Sequence, residues 1–182
     1  PLMEPVEDFH CEHHIGYTKI RSKKDGIAIS VTYYIPSEGF YEIWAIDIKN
    51  ESDQERALSV FSVVDFYLEG FDYPRYHEMH RTINAGFDAE LNGIFCSSKH
   101  RYAPHAKYNG FIASTEKVYA SDAHLKKFLG GTGSYARPLG LLSGTDCTGS
   151  RRACYDIGGV LQHKINLKPG ESKNINIVYG LA

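Results

Sequence analysis

The run "IAISVTYYIPSEGFYEIWAIDIKN", Ile27 to Asn50, decides how the rest of the chain is read. Its first part sets Ile27, Ile29, Val31 and Tyr33 at every second position. A period of two is the signature of a pleated strand, whose successive side chains point to opposite faces. Asp25-Gly26 just before it is the residue pair that a tight hairpin turn favours. The second part repeats the pattern, with Ile43, Ala45 and Asp47 on one side and Trp44, Ile46 and Ile48 on the other. It stops at Asn50-Glu51-Ser52-Asp53, a polar turn. Two alternating strands bounded by turn chemistry predict an antiparallel sheet with one face toward a core.

Working outward, "ALSVFSVVDFYL" from Ala57 is apolar on both faces, which predicts a central strand. "LNGIFCSSK" and "YNGFIASTE" are short apolar runs opened by Asn-Gly. "GGVLQHKINLKPGESKNINIVYGLA", which ends at Ala182, gives two strands joined by Lys168-Pro169-Gly170-Glu171, with Pro and Gly where a tight turn needs them. The single predicted helix is "SDAHLKKFLG", with Ser121 or Asp122 as its cap and Gly130 as its stop. Short strands at regular spacing and almost no helix predict an all-β, antiparallel two-sheet sandwich with at most one or two short helices. No linker divides it, so residues 1–182 are read as one domain.

Composition narrows the function classes. The chain has 182 residues and a net charge of -2, so no field selects nucleic acid or an anionic membrane. No apolar run approaches a membrane span. Four cysteines (Cys11, Cys96, Cys147, Cys154) lack metal-knuckle spacing and are read as free thiols of a reducing, cytoplasmic compartment. The opening "PLMEPVEDFHCEHH" reads as the interior of a longer protein, so a fragment is expected. Thirteen Tyr and nine Phe against one Trp are a heavy aromatic load, useful in strands and for stacking on sugars.

Four stretches are candidates for chemistry. In "HCEHH", strand parity would set His10, Glu12 and His14 on one face. The more economical reading is a polar strand end, and no metal site is assigned. "LLSGTDCTGS" holds Ser143, Asp146 and Cys147 without a nucleophile elbow, so a Gly/Ser/Thr-rich loop explains it. "FDYPRYHEMHR", Phe71 to Arg81, follows the apolar run and is aromatic and cationic. Tyr73, Arg75, Tyr76, His80 and Arg81 offer flat rings for the C–H faces of a sugar and donors for hydroxyls or phosphate. The alternative is a surface loop whose rings cover the sandwich edge. "FLGGTGSYARP", Phe128 to Pro138, lacks the phosphate-loop pattern. Its glycines would let Tyr135 and Arg137 approach a ligand or another domain closely.

Four runs together resemble a known family: "DFHCEHHIGYTKI", "EIWAIDIKNESDQERALSVFSVVDF", "FLGGTGSYARP" and "LKPGESKNINIVYGLA". In order and spacing they are similar to the N-terminal β-sandwich domain of the inverting phosphorylases of glycoside hydrolase family 94, formerly glycosyltransferase family 36. The resemblance spans nearly the whole chain and implies a many-stranded super-sandwich. It further implies a parent enzyme that phosphorolyses β-linked gluco-oligosaccharides to an α-sugar 1-phosphate. Inorganic phosphate is then the co-substrate, and no metal or organic cofactor is expected. The family's general acid lies in a separate (α/α)6 barrel, so no catalytic residue is expected here. The implied partners are the β-linked oligosaccharide, the helical catalytic domain and a second copy as homodimer. By position, Arg81, with Arg75 as competitor, matches an Arg of the family that faces the acceptor sugar. The rival is a stand-alone, non-catalytic carbohydrate-binding or structural sandwich.

Overall fold

The computed structural model of the protein describes residues 5–66, 83–98, 109–131, 133–153 and 156–182. The elements run β1 Glu7–His14, β2 Tyr17–Lys24, β3 Ile27–Tyr34, β4 Tyr41–Asn50, β5 Arg56–Asp65, β6 Ile83–Asp88, β7 Gly93–Ser98, β8 Gly110–Ser114 and β9 Ala120–His124. Then come α1 Leu125–Leu129, α2 Leu139–Leu142, β10 Arg152–Ala153, β11 Ile157–Leu167 and β12 Ser172–Leu181. A nine-stranded sheet, β1-β2-β3-β4-β12-β8-β7-β6-β10, faces a three-stranded one, β5-β11-β9. Neighbouring strands are antiparallel throughout the ladders of both sheets.

The alternation of Ile27–Asn50 does what its period requires. Ile46 lies between Val31 and Ile175 in register, and Ile48 between Ile29 and Lys173, while Asp47 stays exposed. Ile48, Ile94, Ile112, Leu161, Ile175 and Ile177 are sealed between the sheets. Each such aliphatic side chain contributes about 1.5–3 kcal/mol by leaving water. Asp25 and Gly26 both have positive φ, 49° and 77°, and close the β2–β3 hairpin as the sequence predicts.

Two expectations need correction. β5 is an edge strand of the small sheet, with β11 at the centre, and not a central strand. Both of its faces are apolar for another reason. Val64 belongs to the core between the sheets, while Phe61 and Val63 pack against Leu125, Phe128 and Leu129 of α1. The helix is also shorter than predicted. Ser121 and Asp122 belong to β9, the N-cap is His124 without a side-chain bond, and only Gly130, at φ 85°, takes its expected stop position. Asp122 cannot cap a helix because its carboxylate is occupied elsewhere. It accepts from Thr148 N (3.1 Å), Thr148 Oγ1 (2.9 Å), Ser150 N (2.9 Å) and Ser150 Oγ (2.5 Å).

The two ends of the sandwich are built differently. One is made of tight turns tied down by two asparagines, the buried Asn50 and the half-buried Asn92. Asn50 Nδ2 donates to Gln54 O (2.7 Å) and Leu167 O (2.9 Å), and its Oδ1 accepts from Ser52 N (3.0 Å). This locks together the two crossings between sheets, β4 to β5 and β11 to β12. Asn92 does the same nearby, bonding Ser114 O, Glu116 O and Val118 N.

Candidate functional site

The opposite end carries the long connections. Antiparallel register places Tyr17 beside Tyr34, Tyr34 beside Ile43, Tyr41 beside Gly180 and Leu181 beside Gly110. Cys96 also faces Gly110, and Ile83 faces Ser98. The small sheet joins this end through Phe66, whose N–H donates to Ile157 O (3.3 Å) and whose ring centroid lies 6.2 Å from that of Tyr179. The flanks of segments 67–82 and 99–108, the 35–40 turn and the 130–138 segment therefore share one end of the molecule.

An aromatic row crosses this end along the inner face of the large sheet. Tyr33 and Trp44 meet edge to face at 5.8 Å, Trp44 and Tyr179 at 6.1 Å, and Tyr179 reaches Phe66. Such ring pairs add about 0.5–1.5 kcal/mol beyond the area they bury. Trp44 Nε1 donates to the Glu42 carboxylate. Two clefts flank Glu42 and Ile35. One of about 370 Å³ is lined by His14, Tyr17, Tyr33 and Tyr34, and one of about 450 Å³ by Phe40, Tyr41, Phe66 and Tyr179. Burial, then the Glu42 charge, raises the phenols of Tyr33 and Tyr179, so both stay neutral hydrogen-bond donors at physiological pH. The geometry suits a ligand that presents both C–H faces and hydroxyls.

The Gly-rich segment docks here as well. Phe128 is buried under Gly140, where an added Cβ would lie 2.6 Å from its ring. Tyr135 Oη donates to Asp65 Oδ2 at 3.4 Å, one residue before Phe66. Burial and the Asp65 charge push Tyr135 up to about 12, and burial also raises the Asp65 carboxyl. Of the predicted site residues, Tyr135 thus bonds Asp65 at the described flank of segment 67–82. Arg137 is exposed beside it. Tyr73, Arg75, Tyr76, His80 and Arg81 lie outside the described residues. Sequence reading missed Tyr33, Glu42, Trp44 and Tyr179 as a group, because parity gives a face but only register gives neighbours across strands.

The remaining constellations resolve into structural roles. His10, Glu12 and His14 do share a face, but the Glu12 carboxylate is held by His10 (3.0 Å), His14 (3.2 Å) and Arg21, and is lowered mainly by the bonds from His14 and Arg21. Among the described residues no group of His, Cys, Asp or Glu is arranged to hold a metal ion. Ser143 Oγ donates to Leu139 O (2.8 Å), a bond within the α2 end. Cys147 is pushed up to about 12 by burial and the Asp122 charge, the opposite of an activated nucleophile. Asp146 accepts from Lys164 (2.7 Å) and Gln162 (2.7 Å). Cys11, Cys96 and Cys147 are free thiols, as expected, while Cys154 lies outside the described residues. Among the described residues no helix is long and apolar enough to cross a membrane.

Comparison with known proteins adds the lineage of this arrangement. The family model described as "Glycosyl hydrolase 94, supersandwich domain" matches residues 1–182. A solabiose phosphorylase of Paenibacillus borealis is 33% identical over 182 residues, covering 100% of this chain and 23% of that protein. An N,N'-diacetylchitobiose phosphorylase of Vibrio furnissii is 26% identical over 185 residues, again 100% and 23%. The chain therefore spans about a quarter of the length of the curated relatives it matches. A solved structure of a candidate kojibiose phosphorylase from the human microbiome has a TM-score of 0.54 at 10% identity, covering 99% of this chain and 20% of that one. A candidate aldose 1-epimerase of Escherichia coli K12 has a TM-score of 0.51 at 7% identity, covering 96% and 68%. At such low identity these two bear on the fold alone.

Proposed function

The chain belongs to the glycosyl hydrolase 94 supersandwich family, and from that premise we propose that it is the carbohydrate-facing scaffold domain of a larger inverting phosphorylase. The parent enzyme cleaves β-linked gluco-oligosaccharides with inorganic phosphate and releases an α-sugar 1-phosphate. One observation carries the reading: the Tyr33–Trp44–Tyr179–Phe66 row, Tyr135 and both flanks of the Phe71–Arg81 stretch gather at one end of the sandwich. The curated relatives are named as phosphorylases of disaccharides and are about four times as long, which supports placing the chemistry outside residues 1–182.

The division of labour follows from the reaction. Phosphate attacks the anomeric carbon from the face opposite the leaving oxygen, so inversion needs one carboxylic acid to protonate that oxygen. An inverting hydrolase needs a second carboxylate to activate water. The acid belongs to a helical catalytic domain, and this domain supplies rings and guanidinium groups at the acceptor side: Tyr73, Arg75, Tyr76, His80, Arg81, Tyr135 and Arg137. A second copy completes a cytoplasmic homodimer, and no metal or organic cofactor takes part. The test is phosphorolysis measured on the isolated chain and on the parent enzyme, with cello- and chito-oligosaccharides. Sugar phosphate from the parent and none from the chain is the expected result. Turnover by the chain alone overturns it.

A further inference from the structure

A second feature lies on the other face of the large sheet, away from the aromatic row. The strand β6, "INAGFD", carries a glycine in its interior, which weakens a strand unless something needs the space. Gly86 has no positive φ to explain it. What needs the space is Arg151. A Cβ at position 86 would lie 2.7 Å from Arg151 Nε, 3.2 Å from its Cγ and 3.5 Å from its Cδ. The stem of Arg151 is laid across the strand over Gly86, while the residue as a whole stays exposed.

The surroundings have a consistent chemistry. Register sets Phe95 beside Gly86 and Ser97 beside Asn84. Phe95 remains 36% exposed, which leaves a ring face open in the cleft. Arg152 brings a second guanidinium, with Asp156 at 3.6 Å as its neighbour. Arg151 meets no carboxylate among the described residues. Among the described residues the one acid lining the cleft is Asp88, which faces its own turn and accepts from Glu90 N (2.9 Å) and Leu91 N (3.0 Å). The cleft these groups line measures about 540 Å³.

We propose that this notch, on the outer face of the large sheet, binds an anionic sugar, one bearing a carboxylate or a phosphate. Arg151 takes the anionic oxygens through paired N–H donors, the geometry a guanidinium presents to carboxylate and phosphate alike. Phe95 stacks on the C–H face, and the Asn84–Ser97 pair faces the hydroxyls. The inference does not rest on the phosphorylase reading, since it uses neither the loop nor the aromatic row.

The test is calorimetric titration of the protein and of Arg151→Met with glucuronate, glucose 6-phosphate, glucose and inorganic phosphate. Because the reading is the difference between the two proteins, a sugar phosphate held elsewhere cancels. Met keeps the stem over Gly86, so an unchanged melting temperature confirms that the fold is intact. Arg151→Met should weaken glucuronate and glucose 6-phosphate by about tenfold or more, as expected for a charged hydrogen-bond pair. Phe95→Leu should weaken both by a smaller factor and leave inorganic phosphate unchanged. Equal affinity of Arg151→Met for the two anionic sugars, or no saturable binding by the protein, overturns the site. Inorganic phosphate binding as tightly as glucose 6-phosphate overturns its identity as a sugar site.

Discussion

Replacing Asp122 by Asn changes one atom of a carboxylate that is 3% exposed and accepts four hydrogen bonds. Three of them, from Thr148 Oγ1, Ser150 N and Ser150 Oγ, end on Oδ1, which the amide oxygen can replace. The fourth, from Thr148 N at 3.1 Å, ends on Oδ2, where the amide places an NH2. A donor then faces a donor inside the protein. Leaving one buried donor unsatisfied costs about 1–3 kcal/mol. For a domain of this size that lowers Tm by roughly 2–12 °C. Burial opposes the Asp122 charge, but the bonds from Ser150 and Thr148 outweigh it and hold the carboxyl below its usual range. A depressed folded value adds stability above the ordinary carboxyl pKa and loses it as pH falls through the folded one. The gap between the protein and Asp122→Asn should therefore be full at pH 7 and narrow on the acid side. Thermal melts by circular dichroism across pH 2.5–7 measure it. An unchanged Tm at pH 7, or a gap that ignores pH, refutes the assignment of Asp122 as the anchor of the 145–150 segment.

Other outcomes follow from the structure and from the proposed function. Gly93→Ala would put a Cβ 2.6 Å from the Ala113 Cα of the neighbouring strand, and such overpacking costs about 1–3 kcal/mol, readable as a lower denaturant midpoint. Asp65→Asn keeps an acceptor for Tyr135 but removes a carboxyl whose value burial raises. A raised value means stability present at low pH and lost as pH rises through it, so melts should favour Asp65→Asn over the protein at pH 7 and not at pH 3. On the proposed function, Arg81→Ala in the parent enzyme should raise the acceptor KM or lower kcat with little change in Tm, and steady-state kinetics in the synthetic direction would show it.

The sequence made the architecture legible wherever one face is buried. The parity of Ile27–Tyr33 and Trp44–Ile48, the Asp25-Gly26 hairpin and the Lys168–Glu171 turn all carry their geometry locally. The position of β5 did not follow, because an apolar second face is the same whether a helix or a third layer covers it; here α1 does. The "SDAH" start of the helix failed because polar β9 residues are satisfied by Thr148 and Ser150, some 26–28 positions away, a partnership that no local pattern encodes. Of the candidate site residues, Tyr135 and Arg137 can be placed in the structure. Tyr135 was found as a ring on a Gly-rich loop, and its partner Asp65 is 70 residues distant. The aromatic row and the Gly86–Arg151 notch depend on cross-strand register, which sequence alone leaves open.

The account turns on where sugar touches this domain. On the proposed function, a crystal structure of the full-length parent protein with a β-linked oligosaccharide bound measures that directly. Contacts from residues 1–182 to the sugar in the catalytic site should come from the loop-bearing end, within 35–42, 66–83 or 133–138. Contacts from the turn end at Asn50, Asn92 or Gly170, or a catalytic-site sugar that no residue of this domain approaches, would contradict it.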